Sequence, residues 1–249
     1  MNIKRLIKAS KELSSISAGY FSMAIGGLLG VRILTAFLTP SQYGQLSLGL
    51  TMGGVIYSVF FGPMTNGMAR FISIAREKKQ IRIYLYTIFK LFFKTSTLIS
   101  FFSLLIIIII LLTDNLRWIN LALASIAFGF IFSFNNIFIG LQIALRNRLL
   151  VSFNQGLITF SKFLLALVLI KIFGPSGTVA LYGQVFGLAI VLFIQIYQTI
   201  KIIKKYDDHD IVKISQVNWQ SKVIIFARPL ITIGFLNWLK LSAEKWGLL

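Results

Sequence analysis

Seven stretches of this chain are apolar over lengths that match the thickness of a lipid bilayer, and this limits the fold more than any motif does. A helix needs about 20 mostly apolar residues to cross the hydrocarbon core. Such windows fall near Ile16–Leu38, Tyr43–Met68, Leu91–Leu112, Leu121–Leu141, Leu149–Phe173 and Val179–Ile203, with another from about Pro229 toward Leu248. In lipid every backbone polar group must be satisfied within the chain, so only helices and closed barrels can span. The windows are too long for barrel strands and lack their alternation of apolar and polar residues. The sequence therefore predicts an all-α polytopic membrane protein. Composition agrees, since 57% of the 249 residues are hydrophobic and 13% charged, more apolar surface than a water-soluble domain can hide. The N-terminal MNIKRLIKASKEL looks like the basic region of a signal peptide. The window after it is longer than a signal core and lacks a small-x-small cleavage site, so it reads as an uncleaved first span.

A net charge of +18 would suggest nucleic acid in a soluble protein, but the positions of the charges give another cause. Lys4, Arg5, Lys8 and Lys11 precede the first window. Arg70, Arg76, Lys78, Lys79 and Arg82 follow the second, Arg146 and Arg148 the fourth, and Lys201, Lys204, Lys205, Lys213, Lys222 and Arg228 the sixth. With alternating spans all of these lie on one side, whereas the opposite loops hold Arg117, Lys171 and Lys245. Cytoplasmic loops are rich in Lys and Arg, so the N-terminus is expected to be cytoplasmic and odd-numbered spans to run outward. The basic balance is topology, and no nucleic-acid partner is expected. The chain has no cysteine, which excludes disulfides.

Some polar residues are not explained by topology. Lys90 and Lys94 lie near the cytoplasmic start of the third span, where their side chains lean toward the interface and can snorkel. Arg32 stands about two turns below the outer end of the first span with its Cα–Cβ bond leaning inward. A charge there costs at least about 2.5 kcal/mol to insert, so it faces a cavity, a partner or a substrate, or else helix-end carbonyls and lipid phosphates. Lys162 falls near the middle of the fifth span, and Ser152, Gln155, Thr159 and Lys162 step along one helix face. That stripe suits either a water-lined cavity or hydrogen bonding between helices. Asn237, Lys240 and Glu244 repeat the pattern in the last window. Lys240 is near mid-membrane if the helix starts at Pro229, but near the outer interface if it starts closer to Val223. In the second span Pro63, between Gly62 and Gly67, interrupts the backbone ladder, and Asn66 lies just inside that break. Gly26, Gly27 and Gly30 would permit close helix contact.

Little points to an enzyme. His209, the one histidine, sits in KKYDDHDIVK on a basic loop, with no second cluster to complete a metal site. There is no nucleophile motif, phosphate loop or dinucleotide fingerprint, so no cofactor or metal is expected.

Three stretches carry a resemblance. RILTAFLTPSQYGQLSL is similar to the first-loop signature of bacterial polysaccharide flippases. ALRNRLLVSFNQGLITFSKFLLALVLIKIFGPSG resembles that family's fourth-loop Arg-Asn-Arg, fifth helix and Gly-Pro turn, and ARPLITIGFLNWLKLSAEKW resembles its seventh helix. The family is the O-antigen and polysaccharide translocases of the multidrug/oligosaccharidyl-lipid/polysaccharide exporter (MATE-like) superfamily. The resemblance implies a bacterial inner-membrane protein with two six-helix lobes in a V around a cationic cavity. It also implies an undecaprenyl-diphosphate-linked oligosaccharide as cargo, crossing by alternating access. Arg32, Lys162 and Lys240 would then meet the diphosphate, and Gln155, Thr159, Asn66 and Asn237 the sugar hydroxyls. On this reading residues 1–203 form the N-terminal lobe, 204–228 a cytoplasmic basic linker and 229–249 the start of a second lobe. The sequence departs from the family by ending just past the seventh window, so a truncated product is expected, or a missing half supplied by another chain or by self-association. The rival readings are a polymerase or glycosyltransferase of envelope synthesis, an exporter of cationic drugs, and a remnant that transports nothing. Drug export would call for intramembrane Asp or Glu, which the first six windows lack.

Overall fold

The computed structural model describes residues 3–113, 118–204 and 217–246. The basic loop that carries His209 lies outside these residues, as do the side chains of Glu244 and Lys245. Helices α1 (Ile3–Phe37), α2 (Pro40–Val55), α3 (Gly62–Glu77), α4 (Ile81–Leu112), α5 (Ile119–Ala144), α6 (Arg148–Phe173), α7 (Gly177–Ile203) and α8 (Trp219–Trp246) follow in order. Among the described residues, 7 segments are long and apolar enough to cross a membrane, with α2 and α3 sharing the one from Pro40 to Glu77. The chain is thus a multi-pass helical membrane protein.

The join between α2 and α3 shows how a proline is absorbed in lipid. Pro63 has no N–H to donate and would collide with the preceding turn. The six residues Ile56–Phe61 before it widen into a π-helix, and the helix restarts at Gly62 with Pro63 in its first turn, where the missing donor does no harm. The expected kink is therefore a π-segment. The TPSQYG stretch is mostly helix as well. Thr39 caps α2 through Gln42 in a reciprocal capping box, and Pro40 takes the first position. Gln42 Nε2 also donates to the Pro175 carbonyl at 2.6 Å, joining two of the charge-poor turns at one end of the bundle.

Half of the α5 and α7 spans is buried, against 11% of α4 and α8, so α5 and α7 form the centre and the other helices surround them. One core cluster, with Phe61, Met68, Ile88, Phe92 and Leu141, joins α3, α4 and α5. A second, with Leu46, Leu121, Ala166 and Leu181, joins α2, α5, α6 and α7. Because lipid is as apolar as leucine, these helices are held by close packing at small residues. At Gly187 of α7, even a Cβ would come within 2.6 Å of the Ser161 carbonyl oxygen of α6.

Helix α8 starts earlier than the sequence suggested. It begins at Trp219, which is buried edge-on against Tyr84, and Asn218 accepts the Ser221 N–H at 3.0 Å as its cap. Pro229, read as the start, lies inside the helix, and residues 219–228, assigned to the linker, are helical. Proline is tolerated in a membrane helix because neighbouring groups re-satisfy the freed backbone.

At the opposite, basic end both α3 and α5 close in the same way. Lys79 has φ 53° and Arg146 φ 60°. Around them Lys79 N–H bonds Arg76 O at 3.1 Å and Gln80 N–H bonds Ala75 O at 2.9 Å, matched by Arg146 to Ile143 at 2.9 Å and Asn147 to Gln142 at 3.0 Å. This is the Schellman closure, whose left-handed position is usually glycine because any side chain there costs about 1 kcal/mol. Replacing Gly187 with Leu should separate α6 from α7 and cost about 1–3 kcal/mol by overpacking. Gly27→Leu, where a Cβ meets nothing within 4 Å, should leave the thermal midpoint of the detergent-solubilised chain unchanged.

Candidate functional site

The polar stripe of α6 is met by a glycine stripe of α1. Added Cβ atoms at Gly19, Gly26 and Gly30 would run into Ser152, Thr159 and Phe163, each 133 residues further along the chain. A constant offset means that the two helices run parallel and in register. It also brings two residues of the stripe, Ser152 and Thr159, against α1. Thr159 is 5% exposed, and its hydroxyl donates to the Gln155 carbonyl at 3.0 Å. Thr159 therefore lies in the α1–α6 seam, the packed one of the two alternatives that its spacing left open.

The same register fixes the relative heights of the two intramembrane cations. Lys162 is level with Leu29, so Arg32 stands three residues further along, about 4.5 Å in axial rise. Arg32 is exposed on α1, and Lys162 is half-buried with its Nζ 4.8 Å from the centre of the Phe163 ring. The two share a membrane level but not a face of α1. Position 30 points at α6, and two residues further on the helix has turned by about 200°.

Asn66 and Asn237, by contrast, are brought together. Both line a cavity of about 230 Å³ between the α2–α3 span and α8, with Tyr57, Ser58, Pro63 and Gly234. The helices here are antiparallel, since Gly67 faces Val223, Gly234 faces Ser58, and Trp238 Nε1 donates to the Thr51 carbonyl at 2.9 Å. This pairing places Pro63 and Pro229 at one depth. Lys240 lies exposed near the far end of α8, about 30 Å from its start at Trp219. The early start thus removes Lys240 from mid-membrane.

Two groupings escaped the sequence reading. Between α5, α6 and α7, Asn154 Nδ2 donates at 2.8 Å to both Gln142 Oε1 and Gln198 Oε1, with Gln195 and Thr199 buried alongside. At the basic end a cavity of about 350 Å³ is lined by Tyr20, Arg146, Arg148, Ser152 and Gln155. Among the described residues no group of three His, Cys, Asp or Glu could hold a metal ion.

No family model matches the chain, and no curated protein does. Solved structures do. An outward-facing multidrug resistance MATE family transporter of the MOP superfamily aligns with TM-score 0.62 at 16% identity, over 89% of this chain and 51% of that one. The fold is that of a MATE-type lobe. A MATE in complex with Br-NRF aligns with TM-score 0.61 at 17% identity, over 93% and 54% of the two chains. A MOP superfamily transporter from Pyrococcus furiosus, whose binding pocket has reversed polarity suggesting a different function, aligns with TM-score 0.61 at 16% identity, over 89% and 51%. The chain spans about half the length of the structures it matches.

The lobe separates structural from accessible amides. Asn154→Ala leaves the oxygens of buried Gln142 and half-buried Gln198 without their donor and should cost about 1–3 kcal/mol. Asn237→Ala, at an exposed cavity wall, should leave the thermal midpoint within about 1 °C of the parent.

Proposed function

We propose that the chain is one lobe of a transporter that flips a lipid-linked oligosaccharide across the bacterial inner membrane, with its N-terminus in the cytoplasm. The observation that carries this reading is Lys162, half-buried in the middle of α6 at nearly the same level as Arg32. Within the seven described spans the acidic residue is Glu77, at the very end of its own. A pair of membrane-level cations without intramembrane acids suits an anionic cargo such as a diphosphate and disfavours a cationic drug. Lys162 would act as a point charge toward a phosphate, and Arg32, on another face of α1, would meet phosphate oxygens in its planar fork from a separate side. Asn66 and Asn237, which share one cavity, would meet sugar hydroxyls, and Gln155, on the same helix face as Lys162, would meet them nearer the basic end.

The fold resemblance to transporters supports movement of cargo rather than covalent chemistry. The reading needs a facing lobe to close the cavity, whether from a C-terminal half or from self-association. Alternating access would then rock the two lobes about the bound cargo.

The decisive variant is Lys162→Met, which keeps the apolar stem against Phe163 and removes the charge. Surface polysaccharide export should fall at least tenfold in native membranes while the amount of inserted protein stays constant. Export at the parental rate from a correctly inserted variant would remove Lys162 from the mechanism.

A further inference from the structure

We infer that the carboxamide cluster between α5, α6 and α7 holds about two resident waters, which complete the polar tie among the three helices. The inference stands apart from the transport reading, since it concerns neither Lys162 nor the cargo. Its starting point is Gln195, which is 0% exposed and has neither its Nε2 nor its Oε1 bonded to any described residue. A carboxamide buried without hydrogen bonds carries its full desolvation cost. Bulk water, lipid headgroups and a facing lobe cannot reach a side chain with no exposed surface, so its partner has to be small and inside the lobe. The helix register places other unpaired atoms beside it. With one span between them α5 and α7 run the same way, and Asn135 Nδ2 donates to the Leu188 carbonyl at 3.0 Å. Seven residues further along each helix, Gln142 therefore stands level with Gln195. Gly183 lies against Ala166 and Gly187 against Ser161 and Lys162, an antiparallel pairing that carries Gln195 to the level of Asn154 as well.

At this level Gln142 Nε2, Asn154 Oδ1 and, one turn along α7, Thr199 Oγ1 are also buried and without partners among the described residues. Gln142 Nε2 and Gln195 Oε1 could satisfy each other, yet no bond joins them, and a bridging molecule fits between. The mixture of donors and acceptors decides what that molecule is. Gln142 and Gln195 offer N–H groups, Asn154 and Gln195 offer carbonyl oxygens, and the Thr199 hydroxyl can serve either way. A cation would take the oxygens and be repelled by the N–H groups, and an anion the reverse. None of these side chains carries a charge to balance an ion. Water donates and accepts at once and suits a small closed site. One water takes at most about four bonds, and the unpaired atoms of Gln142, Asn154, Gln195 and Thr199 exceed that, so about two are needed. Asn135 Oδ1, also unpaired, lies seven residues back along α5, about 10 Å away, and is no part of the site.

The test uses the full chain in lipid nanodiscs. Water should give nuclear Overhauser cross-peaks to the side-chain NH2 groups of both Gln142 and Gln195. Gln195→Met keeps an unbranched side chain of similar length and removes its polar atoms. It should lower the thermal midpoint by about 3 °C or more, because the waters lose partners that they share with Gln142 and Asn154. A dry cluster gives the opposite sign, since the same variant then removes two bare polar atoms from the interior. An unchanged or higher midpoint would therefore overturn the site. So would the absence of both cross-peaks in the parent chain, a result that depends on no variant folding. A parent midpoint raised by sodium chloride over choline chloride at equal ionic strength, with the difference lost in Gln195→Met, would assign the site to a cation and overturn water as its occupant.

Discussion

In hydrocarbon, water drives no helix against another, and this lobe depends on how closely its backbones can approach. Helix α6 is where that constraint is tightest. On one side Gly19, Gly26 and Gly30 of α1 lie against it, and on the other Gly183 and Gly187 of α7. These contacts let dispersion and short polar bonds do what the hydrophobic effect does in a soluble core. Ser161 shows the consequence, since its hydroxyl reaches the Gly187 carbonyl at 3.2 Å only because no side chain separates the helices. Lys162 is therefore held on a helix clasped from two sides, which fixes the height of its charge.

The interior is more polar than the apolar windows suggest. The carboxamides of Gln142, Asn154 and Gln198 bond one another between α5, α6 and α7, and Thr51, Thr65, Ser125 and Ser133 each donate back to a carbonyl of their own helix. Hydroxyls bonded within a helix make few demands on neighbours, whereas the carboxamide group ties three helices together. The lobe thus separates polar residues that hold it together from those left open, the latter being Arg32, Gln155, Asn66 and Asn237.

Most of the fold was legible, because hydropathy over twenty residues depends on nothing outside the window. The start of α8 was not, because Pro229 looks like a helix opening and Asn218, the true cap, precedes a basic and polar turn. The stripe on α6 was legible as a face but not as to what covers it. The glycines of α1 repeat its spacing, yet only their shared offset shows that Ser152 and Thr159 lie beneath them. The carboxamide cluster was missed because its members are scattered over three helices and each alone is unremarkable in a span. Arg146 was read as a topological charge, and its strained φ has no counterpart in composition or periodicity.

Pro63 and Pro229 lie at the same depth in two antiparallel helices, and the cavity holding Asn66 and Asn237 opens beside them. Each proline removes one backbone donor, so both losses fall at one level of the pair. Beyond that level the bond from Trp238 to Thr51 ties the two helices together. Below it the buried Trp219 anchors α8 to α3 and α4. The pair is thus tied on both sides of the level at which its two prolines lie.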